Sequence, residues 1–465
     1  MGPRFGTDGV RGLAGSDLTA ELALALGRAA AASLAPPGVS LAEGHSHEHH
    51  RRAFLVARDT RWSGPMLQAA FSAGVASEGV DVINLGVAPT PAAAALSAAR
   101  QIPAAVISAS HNAFADNGIK LFAAGGRKLA PEQEGEVARL AAERAQTAGG
   151  PVTQAGIGRL MADPEGLSTY AEAVLASLGG RTLGGIRVVL DCADGAAYGI
   201  GPALVQAAGA RLVGSLGVEP DGININAEGG ATDPSRLAEA VKATGAALGL
   251  ALDGDADRVI AVDETGEVVD GDRMIALFAL DLHGAGRLRG DTVVATVMAN
   301  LGFHKAMARG GIAVHTTPVG DRRILDALAS GGWSLGGEQS GHVIFPDLAT
   351  TGDGMLTGLL LADLMVRSGS PLSELAGGVM QRFPQVLRNV AVQAGRPLDD
   401  ATLEVLVGAT LDEVRGELGD GGRVLLRPSG TEPVVRVMVE APTEDEAAAA
   451  AERLAGALDS ALSGP

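Results

Sequence analysis

Short unbroken apolar runs alternate along this chain with longer segments whose apolar positions recur every three to four residues. Residues 54–57 form one such run, 63–78 carry the helical spacing, and 80–85 return to a run. An Ala-rich helix over 91–100 and a strand over 104–108 continue the rhythm. Strands alternating with helices predict a mostly parallel sheet covered by helices, an α/β fold. The pattern resumes at 187–191 and ends on the apolar run 246–252, which reads as a buried strand. It resumes once more with a strand over 292–297, a helix near 303–309 and a strand over 312–316. The last stretch differs: strands over 386–392, 424–426 and 434–439, with helices over 400–418 and near 444–462, predict a smaller α+β unit.

Breaks in this pattern suggest the domain limits. Residues 147–158 are rich in Gly, Ala and Pro, and further breaks fall near 257–260 and 377–384. The division expected is 1–154, 155–258, 259–378 and 379–465. The 66 glycines and 22 prolines lie between periodic segments, which makes them turn residues rather than a low-complexity tract. One segment, 36–52, has no period and holds His45, His47, His49 and His50. It reads as a solvated loop, with transition-metal binding as the alternative.

Charge and cysteine content narrow the function. A formal net charge of −18 makes non-specific nucleic-acid binding unfavourable, so an anionic substrate must be met by local positive charge and metal. Cys192 is the single cysteine, which excludes an intrachain disulfide and suits a reducing compartment. The N-terminus has no apolar signal core, and no run reaches the roughly 18 apolar residues of a membrane span. A soluble, cytoplasmic protein without nucleic-acid or membrane partners is expected.

Four segments carry candidate chemistry. Asp253, Asp255 and Asp257 stand at alternate positions directly after the run 246–252, at a strand's carboxyl end, where open α/β sheets bind ligands. Three such acids repel one another unless a cation neutralises them, and hard carboxylate oxygens suit Mg²⁺. Alone, the stretch also fits a solvated acidic turn. Ser108-Ala109-Ser110-His111-Asn112 ends another strand and exposes a serine on a turn; a helix-capping serine is the plainer alternative. His111 is not assumed to be its base, because neighbouring side chains on a turn usually diverge. Lys120, between Ile119 and Leu121, is expected in an apolar setting that lowers its pKa and suits proton transfer, or else is a surface lysine. Gly336–His342 offers Glu338, Gln339, Ser340 and His342 to hydroxyl groups. Arg427, Ser429, Gly430 and Thr431, with Arg436 beyond, combine guanidinium forks with a candidate anion nest.

Taken in order, these motifs resemble those of the α-D-phosphohexomutases, and the resemblance covers nearly the whole chain. The opening Phe5-Gly6-Thr7-Asp8-Gly9-Val10-Arg11-Gly12 and Gln339 in the third motif resemble the amino-sugar branch of that family. The resemblance implies four domains around a central cleft, three of them similar α/β domains with mixed, mostly parallel sheets. It implies a phosphoserine at Ser110, Mg²⁺ held by Asp253, Asp255, Asp257 and that serine's phosphate, and sugar hydroxyls bound by Glu338 and Ser340. Arg427, Ser429, Gly430 and Thr431 would hold the non-reacting phosphate, while Arg11, His111 and Lys120 would flank the serine. Arg258 would contact the reacting phosphate. The substrate implied is a sugar phosphate, glucosamine 6-phosphate for preference, converted through a 1,6-bisphosphate; a homodimer is also implied. The alternatives are a phosphomannomutase or phosphoglucomutase and a sugar-phosphate-binding protein without turnover. Ala113 departs from the family's usual proline, which removes a backbone constraint but no reactive group.

Overall fold

The computed structural model describes residues 6, 9–35, 52–146, 152–392, 399–428 and 434–463. The His-rich stretch lies outside them except for Arg52, as do Ser429, Gly430, Thr431 and residues 147–151 of the first expected linker. Two compact units emerge, one up to Val297 with Ile312–Gly377, the other Met298–Gly311 with the chain from Gly378.

The first unit holds three sheets. In the first, Ala104–Ile107, Ala53–Arg58, Asp81–Val87 and Leu160–Ala162 lie side by side and parallel. Alternate residues of one strand serve two cores. Phe54 and Val56 pack with Leu26 and Phe71 on one face, while Leu55 and Ala57 pack with Ala93 and Leu96 on the other. Covering both faces is why this strand reads as an unbroken apolar run. Each such side chain contributes on the order of 2 kcal/mol by leaving water. The second sheet places Leu248–Leu252 parallel to Arg187–Asp191, and that strand parallel to Arg211–Leu216. The third places Thr292–Thr296 between Ala313–Thr317 and Gly336–Gly337, again parallel.

Every one of these sheets also has an antiparallel return strand. Asp116–Ala123 returns beside Ala104–Ile107, Val259–Asp263 beside Leu248–Leu252, and Val343–Ile344 beside Gly336–Gly337. The Ser110, Asp253 and Glu338 motifs are therefore the three hairpin connections. A short loop suffices for an antiparallel return, whereas a parallel neighbour needs a long crossover. Two of the expected limits fall inside these sheets. Leu160–Ala162 belongs to the first sheet, so that module runs past 154. Val259–Asp263 and Val268–Val269 complete the second, so that one runs past 258.

In the second unit Gln385–Ala391, Val434–Glu440 and Arg423–Pro428 form an antiparallel sheet. Its core joins Val390, Leu426, Val435, Val437 and Val439 to Leu454 and Leu458 of helix Glu444–Ser463. The single helix expected over 400–418 is two, Asp400–Leu406 and Gly408–Leu418, because Val407 leaves helical geometry at φ −116° and ψ 17°. Among the described residues no helix is long and apolar enough to cross a membrane.

Candidate active site

Strand Ala104–Ile107 delivers Ser108 and Ser110 into a buried turn. Ser110 has φ +55°, a left-handed conformation that a non-glycine residue keeps only when its surroundings impose it. Its hydroxyl donates to Asp253 Oδ2 at 2.6 Å. His111 Nδ1 lies 3.4 Å from the same Oγ, so the two neighbouring side chains converge rather than diverge. Burial, then Arg258 and Arg11, lower the His111 pKa to about 4, which leaves the ring neutral at neutral pH.

Asp253, Asp255 and Asp257 are all buried, with one oxygen from each within 4.8 Å of the others. Gly254, between two of them, passes close beneath the serine turn: a Cβ there would stand 2.6 Å from Ser110 O. Burial, then the charges of Asp257 and Asp255, push the Asp253 pKa well above the usual carboxylate range. Burial acts the same way on Asp257, but Lys120, His342 and Arg258 outweigh it and hold that group well below the range. Asp255 Oδ1 and Asp257 Oδ1 are buried without a hydrogen-bond donor. Three crowded carboxylates with two undonated oxygens fit a hard divalent cation bound through oxygen.

Further candidate residues of the first unit stand near this centre. Lys120 Nζ is 2.7 Å from Asp255 Oδ2 and 3.6 Å from Asp257 Oδ2. Its setting is thus a pair of carboxylates, not the apolar one expected, because strand Asp116–Ala123 turns it toward the acidic loop. His342, a candidate for binding substrate, is buried, with Nδ1 3.7 Å from Asp257 Oδ2. Arg258 Nε lies 3.7 Å from Asp257 Oδ1, buried and without a hydrogen-bond acceptor. Arg11 sits in strand Val10–Leu13 opposite Gly118, near enough to influence His111. Glu338 accepts from Gly320 N at 3.1 Å and from Ser340 Oγ at 3.3 Å. In the second unit, Arg427 and Arg436 are direct cross-strand partners.

Sequence reasoning passed over several participants. Asp59 and Arg61 follow strand Ala53–Arg58 at the same carboxyl end as the other motifs, a signal that was legible. Thr90, between Pro89 and Pro91, donates its hydroxyl to Asp255. Asn226 reaches the serine turn from the second sheet's module, and nothing near it in the chain announces that.

Comparison with known proteins matches four successive family descriptions. Residues 2–148, 168–266 and 270–383 match phosphoglucomutase/phosphomannomutase alpha/beta/alpha domains I, II and III, and 387–457 match the C-terminal domain. The chain is 53% identical over 452 residues to a phosphoglucosamine mutase of Acidothermus cellulolyticus, covering 97% of this chain and 94% of that one. It is 51% identical over 461 residues to one of Rhodococcus opacus, covering 99% and 100%. Its fold is similar to the crystal structure of a phosphoglucomutase/phosphomannomutase family protein from Burkholderia thailandensis, with a TM-score of 0.78 at 25% identity, covering 98% of each chain.

Proposed function

The chain belongs to the phosphoglucomutase/phosphomannomutase family, the α-D-phosphohexomutases, and from that premise we propose that it interconverts glucosamine 6-phosphate and glucosamine 1-phosphate. The observation that carries this reading is the Ser110 hydroxyl aimed at the Asp253 carboxylate within a three-carboxylate cluster. Mere binding of a sugar phosphate needs neither group. The names borne by the two relatives, each at more than half identity over nearly the whole chain, support the amino sugar.

In the proposed cycle Ser110 carries the phosphoryl group. O1 of glucosamine 6-phosphate attacks phosphorus, the P–O1 bond forms as the P–Oγ bond breaks, and glucosamine 1,6-bisphosphate results. The O1 proton leaves and Oγ regains one, with Lys120 and His111 as the adjacent nitrogen groups able to pass it. The bisphosphate turns end for end and its 6-phosphoryl group returns to Oγ, releasing glucosamine 1-phosphate. Asp253, Asp255 and Asp257 would hold Mg²⁺ together with a phosphoserine oxygen. That ion supplies neutralisation of phosphoryl charge. Glu338 and Ser340 would bind sugar hydroxyls and the C2 ammonium. Arg427 and Arg436, with Ser429, Gly430 and Thr431, would hold the phosphate that is not reacting, and Arg258 and Arg11 the one that is. His342 would act through Asp257. The reading places the enzyme in a reducing cytoplasm, supported by a single, buried cysteine.

The test is kcat/KM for glucosamine, glucose and mannose 6-phosphates on Ser110-phosphorylated protein in Mg²⁺, beside Ser110→Ala. Glucosamine 6-phosphate is expected to lead glucose 6-phosphate by at least about tenfold, since a site built for a hydrogen-bonding group rejects analogues lacking it. Ser110→Ala should lose on the order of 10³-fold or more, and chelation should stop the wild type. Equal efficiency on glucosamine and glucose phosphates would identify a general hexose mutase. Undiminished turnover by folded Ser110→Ala would remove the phosphoserine altogether.

A further inference from the structure

Both backbone polar groups of Ser110 are held by side chains. Its N–H donates to Ser108 Oγ at 3.0 Å, and Ser108 Oγ donates to Asp59 Oδ2 at 2.6 Å. Its carbonyl accepts from Arg61 at 3.1 Å and from Asn226 Nδ2 at 3.0 Å. The same two donors also share the carbonyl of Asn112, at 2.5 Å and 3.1 Å. Two side chains thus make four hydrogen bonds to two carbonyls that bracket the turn. Arg61 is fully buried, and Asp59 fixes it through an ion pair and a 2.9 Å bond to its backbone N–H. Asn226 belongs to another module and is itself fixed at φ +58°, with its N–H on Ala193 O at 2.9 Å. The two modules also meet where Trp62 N donates to Gly222 O at 2.9 Å.

We propose that Arg61 and Asn226 are positioning residues for phosphoryl transfer, a two-module clamp on the Ser110 and Asn112 carbonyls that fixes the direction of Ser110 Oγ. The proposal rests on the reading of Ser110 as the phosphoryl carrier. Ser110 alternates between hydroxyl and phosphate ester in every cycle, so its own oxygen cannot serve as a constant anchor. Holding the turn by its amide and carbonyls leaves that oxygen to the chemistry. It also maintains a left-handed serine that would otherwise relax, which turns Oγ away from Asp253. Phosphoryl transfer gains its rate from placement, and an error near 1 Å costs about 100-fold.

Asn226→Gly keeps the left-handed backbone without strain and removes both Asn226 hydrogen bonds, while Asn226→Asp keeps shape and backbone preference but puts acceptors against the carbonyls. Arg61→Lys retains the charge beside Asp59 and reaches one carbonyl instead of two. The expected result is a fall in kcat of about 100-fold for both Asn226 variants. KM for glucosamine 6-phosphate should stay within about threefold, the melting temperature near wild type, and the Arg61→Lys loss should be smaller. Amide exchange in residues 109–112 is expected to speed up at least tenfold in Asn226→Gly, a readout independent of any substrate. Unchanged exchange there overturns the clamp, as does kcat within twofold of wild type or a loss that only follows the folded fraction. A wild type inactive on all hexose phosphates would instead defeat the functional reading, and exchange would still decide the clamp.

Discussion

Asp353 is as buried as the three clustered aspartates, but its partners are a tyrosine hydroxyl and backbone amides. Tyr170 OH lies 3.0 Å from both carboxylate oxygens, and Leu356 N donates to Oδ1 at 3.0 Å, capping helix Gly354–Ser368. Burial outweighs these bonds and raises its pKa from 3.8 to about 6. The folded protein therefore holds this proton more tightly than the unfolded chain. The sign follows: between about pH 4 and pH 6 the native state binds more protons, so stability from this group falls as pH rises. Asp353→Asn has no such proton. The stability of Asp353→Asn relative to wild type should increase by on the order of 2–3 kcal/mol from pH 4 to pH 7. Urea unfolding at the two pH values measures it. A difference independent of pH would show that the carboxyl ionises as freely in the fold as in water. At this scale the sequence displayed the candidate groups, Ser110 and the three aspartates, because strand-end position and residue type are local. It did not display which charges balance which, since Lys120 and His342 reach Asp257 from two other segments.

The elements were legible where a strand is covered on both faces, because unbroken apolar runs such as 104–107 and 246–252 read as buried strands. Return strands were harder. Asp116–Ala123 begins with the polar Asp116-Asn117-Gly118, which looks like a turn, although Asn117 and Gly118 are buried strand residues. Their polar groups are answered locally: Asn117 donates to Ser63 Oγ at 2.8 Å. Missing the returns hid the rule that the Ser110, Asp253 and Glu338 motifs each occupy a hairpin connection. It also hid how tightly those connections meet. Gly254 has an ordinary backbone conformation, so Gly254→Ala is a test of contact alone. Its methyl would stand 2.6 Å from Ser110 O and 2.8 Å from Asn226 Nδ2. The expected cost is about 1–3 kcal/mol of stability, with a fall in kcat larger than the loss of folded protein explains. Thermal melting beside steady-state kinetics separates the two, and wild-type kcat in Gly254→Ala would mean the loops tolerate displacement.

The second unit is discontinuous in sequence, a property no period or composition announces. Helix Leu301–Arg309 lies in the chain between two strands of the third sheet, yet it belongs with the C-terminal residues. Glu440, fully buried at the end of its strand, explains why. It accepts from Asn300 Nδ2 at 3.2 Å and Leu301 N at 3.0 Å, as well as from Gln385 Nε2 at 3.0 Å and Arg423 Nε at 2.9 Å. Asn300 completes the knot by donating to Phe383 O at 2.9 Å and accepting from Phe383 N at 3.0 Å. Gly302 lets the helix start close against the chain: a Cβ there would fall 1.7 Å from Gln381 O. The helix therefore opens and closes with the C-terminal sheet rather than with the third sheet. Glu440→Ala strips one acceptor from four donors, and should cost on the order of 3 kcal/mol because buried partners are left unanswered. Hydrogen exchange provides the decisive reading. In the variant, protection should fall together in residues 301–309 and 434–440, while strand Thr292–Thr296 keeps wild-type protection. If 301–309 instead lost protection in step with Thr292–Thr296, the helix would be part of the third module after all, and the polar knot around Glu440 a contact of little consequence.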